Sequence, residues 1–126
     1  MSRSRRSLSL SPLSFVALSA ALVLAFAAAP AAAADSMTGE VLDLGCYENG
    51  QSGASHASCA KRCLGRGGAM GLLVDGEVYE IDVEASDEAA VKTMREKGGE
   101  NVTVKGQAAD EDGKKTLAVQ SAEPAG

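Results

Sequence analysis

All three cysteines and the single histidine of this 126-residue chain fall between Cys46 and Cys63, within the stretch CYENGQSGASHASCAKRCLGRG. Thiolate and imidazole are the donors that soft and borderline metal ions prefer, so their concentration in one segment points first to metal chemistry. If Ser55 caps a short helix over residues 56–64 and Gly65 ends it, His56, Cys59 and Cys63 follow at i, i+3 and i+7. At about 100° per residue they then fall within roughly 60° of one another on one helix face. Cys46, at the end of the preceding apolar-alternating run, supplies the fourth donor of a Cys3His site. Structural zinc needs that number of ligands. Copper(I) suits the thiolates equally, with Met70 on the nearby glycine-rich connection as an extra thioether ligand, and an iron–sulfur cluster accepts the same four residues. The spacing C-x9-H-x2-C-x3-C is not a common zinc-finger pattern.

Two other chemistries use the same side chains. A disulfide from Cys46 to Cys59 or Cys63 would staple the segment to the fold, stabilise a small domain by about 2–4 kcal/mol and leave one thiol over. A reactive thiol would pair Cys59 with His56 as the activating base, and with Cys63 or Cys46 as the resolving thiol. Against this reading, no C-x-x-C is present and no βαβ order surrounds the site. His56 taken alone would be a solvent-facing or capping residue; its alignment with two cysteines makes it a candidate ligand. Tyr47 reads as a core or rim residue. Gly65, Gly67, Gly68 and Gly71 lack the lysine of a phosphate loop, and Asp110, Glu111 and Asp112 lack EF-hand spacing. With no Ser/His/Asp arrangement to propose, metal binding or electron transfer is favoured over substrate turnover.

Composition narrows the setting. Arg3, Arg5 and Arg6 precede an apolar run from Leu13 to Ala29, then Pro30 and four alanines, with Ala32 and Ala34 at the positions of an A-x-A cleavage site. Residues 1–34 therefore read as a signal peptide, and the product is expected to be periplasmic or secreted. Ser4-Arg5-Arg6-Ser7-Leu8 is similar to the start of a twin-arginine motif, which exports proteins already folded around a cofactor, although Ser9 and Leu10 depart from it. The apolar run is too short and alanine-rich for a span, so no stable membrane segment is expected after cleavage. All 17 acidic residues lie beyond position 34, against nine basic ones, which gives the remainder a formal charge of −8. Nucleic acid is excluded as a partner for want of a basic stripe, and Tyr47 and Tyr79 are too few for a stacking platform. A protein partner or a metal donor is the expected interaction.

The elements that must position the cysteines follow from alternation and turn chemistry. Residues 38–44 read as a strand entering the Cys46 segment, 72–74 and 77–83 as a hairpin about Asp75-Gly76, and 101–107 and 115–120 as a pair joined by a polar turn at 110–113. Between the hairpins, residues 86–97 read as a helix with Ala89, Ala90, Val91 and Met94 inward and Gly98-Gly99 closing it. Residues 35–121 thus form one mainly β domain with short helices, and 122–126 a loose tail. Five strands with a helix between the third and fourth is the order of an OB-like barrel. The patterns TGEVLD, LLVDGEVYEIDV and VTVKGQ…DGKKTLAVQS resemble those of small exported bacterial OB-fold-like proteins. The segment GxVxDxxCY…HxxCAxxCxxxG, more particularly, is similar to one in exported bacterial proteins of unknown function. The resemblance implies the barrel and carries no activity with it.

Overall fold

The computed structural model describes residues 34–126; the leader assignment, apart from Ala34, falls outside the described residues. The chain runs β1 (Asp35–Asp43), α1 (Leu44–Glu48), a 3-10 turn (Ala54–His56), α2 (Ala57–Gly65), β2 (Met70–Val74), β3 (Glu77–Ile81), α3 (Glu88–Glu96), β4 (Asn101–Glu111) and β5 (Lys114–Pro124). The strands close into a five-stranded barrel in the order β1-β2-β3-β5-β4, antiparallel throughout except for the β3/β5 seam. This is the OB-like barrel expected from the element order. Closure pairs each strand with two neighbours, while β4 beyond Gly106 pairs with β5 alone.

Local chemistry explains the hairpins. Asp75 and Gly76 both have positive φ, 49° and 83°, as do Asp112 and Gly113, at 54° and 83°. Asp-Gly tolerates this conformation, whose twist matches that of the flanking strands. The second hairpin is longer than alternation suggested: β4 and β5 stay paired from Val102↔Pro124 to Glu111↔Lys114. Residues 122–124, expected in the tail, are therefore strand, because β4 offers partners that the sequence alone does not reveal. The helix α3 begins at Asp87, whose side chain accepts from the Ala90 N–H. Ala90, Val91 and Met94 are buried as expected, whereas Ala89 faces outward.

The core joins the inward residues of all five strands to Leu64 of α2 and to Ala90, Val91 and Met94 of α3. Register assigns the faces of β1. Val41 pairs with Leu72, Leu42 with Gly71 and Asp43 with Met70. Because facing residues share a side and successive ones alternate, Asp43 and Met70 lie on the same face as Val41 and Leu72, the face of the barrel core. Met70 accordingly opens β2 as a core residue, 1% exposed, and does not lie on the glycine-rich loop. Leu42 points the other way and is buried beneath the segment between β1 and β2, where Gln51, Gly53, His56 and Ala60 border it.

Two glycines after α3 let α2 lie close. A Cβ on Gly98 would come within 2.9 Å of the Lys61 backbone nitrogen, and one on Gly99, at φ +75°, within 2.5 Å of the Ala57 Cα. The Gly99 N–H also donates to the Val41 carbonyl at 2.7 Å. A Gly99→Ala variant is expected to lose about 2–4 kcal/mol of unfolding free energy, from the left-handed backbone and the overpacked contact together, as read by urea denaturation.

Candidate metal centre

The cysteine segment leaves the barrel at Asp43 and rejoins it at Met70. Asp43 ends β1 and its carboxylate N-caps α1, Oδ1 accepting from the Cys46 N–H at 2.8 Å. This moves Cys46 from the strand end where alternation placed it onto a one-turn helix. The cap spacing was present in the sequence: an Asp three residues before Cys46 is the N-cap-to-N3 relation. It was hidden by the apolar alternation of Val41, Leu42 and Leu44. After α1 the chain is held locally, with the Cys46 carbonyl accepting from Asn49 and Gln51 N–H groups and the Asn49 side-chain amide donating to the Gly45 carbonyl at 2.7 Å. The Gly53 N–H then donates to the Glu40 carboxylate on β1.

Cys59 and Cys63 sit four residues apart on α2, one turn above the other on the same face. The carbonyl of Cys63 accepts from the Arg66 and Gly68 N–H groups, at 3.1 and 3.0 Å, closing the helix, and Arg95 of α3 donates to the Leu64 carbonyl at 2.6 Å. The helix is thereby fixed at its C-terminal end against α3. The return loop is also fitted to the carboxylate: a Cβ on Gly68 would fall 2.4 Å from Asp43 Oδ2 and 2.9 Å from the Cys63 carbonyl oxygen.

These constraints bring the three thiols together. The Cys46, Cys59 and Cys63 Sγ atoms all lie within 4.8 Å of one another, and Cys46 to Cys59 measures 3.8 Å. All three cysteines are free and half-buried. Three sulfurs about 2.3 Å from one ion would stand about 3.8 Å apart in a tetrahedron and about 4.0 Å apart in a trigonal plane. The Cys46–Cys59 separation of 3.8 Å is close to both.

His56 does not join them. The α-helix starts at Ala57, one residue later than expected, and His56 is its N-cap, with φ −108° and ψ 4°. Ser55 lies in the preceding 3-10 turn, and no side chain caps α2. Off the helical path, His56 loses the 100° phase that aligned it with Cys59 and Cys63, and it borders the crevice above Leu42 instead. The His, Cys, Asp and Glu donors that the structure brings together, among the described residues, are therefore Cys46, Cys59 and Cys63, without His56.

Asp43 is the residue that sequence reasoning missed. It is 6% exposed, the one charged or polar residue fully buried among the described residues. Its carboxylate accepts a hydrogen bond from the Cys46 thiol, and with desolvation and the neighbouring Cys59 thiol it pushes the Cys46 pKa up to about 12. A negative charge beside the sulfur resists loss of its proton, so Cys46 is a poor attacking thiol. A metal cation reverses this balance, since it replaces the protons and is drawn by the same carboxylate.

No family model, curated protein or solved structure matches the chain. Its functional reading rests on this geometry.

Asp43→Asn should preserve the N-cap, since Asn caps as well as Asp, while removing the charge. In reduced, metal-free protein, alkylation of Cys46 is expected to be faster in this variant at every pH below about 12, and the two proteins should converge above it. Peptide-resolved mass spectrometry after timed alkylation checks this; equal rates would mean that the carboxylate does not govern the thiol.

Proposed function

We propose that residues 35–126 form an exported metal-binding domain, in which Cys46, Cys59 and Cys63 hold one soft metal ion at the end of an OB-like barrel. The observation that carries this is the convergence of three free Sγ atoms within 4.8 Å. The cysteines come from two helices, and what orients those helices is independent of any thiol: the Asp43 cap, the Arg95 clamp and the close approach of Gly98 and Gly99. A donor set held in this way suits a metal, since little chain entropy remains to be lost on binding. Zinc, copper(I) and an iron–sulfur cluster all accept thiolates, and the role is metal handling or electron transfer, with a protein partner or metal donor supplying the ion. Export rests on the leader pattern of residues 1–34 and on the likeness to small exported bacterial proteins. Among the described residues no helix is long and apolar enough to cross a membrane.

The 3.8 Å separation of Cys46 and Cys59 favours one further reading, a thiol-based redox protein or a binding module in which these two form a disulfide and Cys63 is left over. Thiol counting separates the two. Protein purified without reductant or chelator, then denatured and chelated, should yield three titratable thiols if it carries metal and one if Cys46 and Cys59 are joined.

Metal content on the same preparation tests the main reading directly. Near-stoichiometric metal is expected, lost in Cys59→Ser and in Cys63→Ser and retained in His56→Ala. Metal-free, folded protein that also fails to take up cadmium after reduction would overturn it.

A further inference from the structure

The composition of the donor set says more about the ion than the presence of thiols does. Among the described residues, three cysteine sulfurs converge and no histidine, aspartate, glutamate or further cysteine contributes a fourth ligand atom within the same 4.8 Å. The neighbouring donors take other positions. His56 lies at the start of α2 and lines the crevice over Leu42. Met70 is a buried residue of the barrel core. Asp43 holds the Cys46 N–H through Oδ1, and its other oxygen is wedged against Gly68.

We infer that the ion bound at Cys46, Cys59 and Cys63 is monovalent copper, held three-coordinate by sulfur alone. This rests on the metal-binding reading above and assigns its cargo. Structural zinc is bound by four protein ligands, whereas copper(I) is selected by soft sulfur donors and has no need of the oxygen or nitrogen ligand that this site lacks. The 3.8 Å Cys46–Cys59 separation lies near the value of about 4.0 Å that a planar three-sulfur arrangement requires, so a small spreading of two thiols completes it. The third vertex is set by α2, where Cys63 follows Cys59 by one turn. Asp43 stands next to the sulfur of Cys46 as an outer carboxylate, placing negative charge behind a cationic centre without entering it. All three thiols are half-buried, so the ion is bound at the surface of the domain with one side open. That opening fits an ion received from, and surrendered to, an external sulfur ligand.

The test uses reduced protein comprising residues 35–126, under anaerobic conditions. Copper(I), supplied as its acetonitrile complex, is titrated against a chromophoric copper(I) chelator, with zinc(II) titrated in parallel. X-ray absorption on the copper-loaded wild-type protein then counts sulfur neighbours without relying on any variant. The expected result is one copper(I) per chain with three sulfur neighbours and no nitrogen, its loss in Cys59→Ser and in Cys63→Ser, and unchanged binding in His56→Ala and Met70→Leu. Far-UV circular dichroism confirms that each variant retains the barrel. Zinc bound by the three thiols with a nitrogen or oxygen as fourth neighbour, and not displaced by copper(I), would overturn the copper assignment while leaving the metal reading standing. Absence of thiolate charge-transfer absorption with either ion, on protein whose three thiols titrate, would remove both.

Discussion

A single buried carboxylate joins the barrel to the thiol cluster. Asp43 is the last residue of β1, turned toward the barrel core by strand alternation, and burial of a charge there is costly unless its oxygens are satisfied. One oxygen accepts the Cys46 N–H, which starts α1 at that point and fixes where the first cysteine projects. The other lies where any side chain on Gly68 would have to be, so the loop that returns from α2 to β2 is shaped around it. The end of β1, the adjoining α1 and the distant return loop at Gly68 thus take their positions from one side chain. The relative placement of Cys46 and Cys63 follows from it.

The helix carrying the other two cysteines is held by a different kind of force. Leu64 is completely buried among residues of the strands and of α3, and Arg95 adds a donor to the Leu64 carbonyl at the helix terminus, which also accepts from the Gly67 N–H. Lys61 adds an ion pair to Glu100 at 2.9 Å, but both side chains are more than a third exposed, so solvent screens the pair and it contributes little. Apolar burial and backbone satisfaction, with the side-chain-free approach of Gly98 and Gly99, therefore fix α2. Surface charge contributes little, even in a domain whose formal charge is strongly negative.

What the sequence revealed divides along the same line between local and distant causes. The two Asp-Gly turns, the inward triplet of Ala90, Val91 and Met94 and the five-strand order were legible, because turn residues and periodicity act over a few positions. The extension of β4 and β5 was not, since a strand ends where its partner ends. The cysteines were recognisable as a cluster from composition alone, yet their partners were misassigned. His56 was aligned with them on the premise of an uninterrupted helix, and a one-residue delay in the start of α2 was enough to remove it. Met70 reads as a loop residue beside four glycines, while its pairing with Asp43 makes it the first core residue of β2. Asp43 itself carries the D-x-x-C cap spacing, which competed with a β-alternating run and was overlooked.

The whole cysteine segment is rooted on one rung of the ladder. Asp43 and Met70 are direct partners, and the Leu44 N–H donates to the Ala69 carbonyl at 2.9 Å just beyond them. The segment thus leaves and re-enters the barrel at the same place, as an elaborated hairpin loop. Its ends are brought together by the strands, and each doubling of such a loop adds only about 0.6 kcal/mol of closure entropy. Insertions and deletions between Cys46 and Cys59 therefore leave β1 and β2 in register. The rung fixes only the two ends of the segment; α2 between them still needs the barrel core and α3, so the segment and this barrel form one unit.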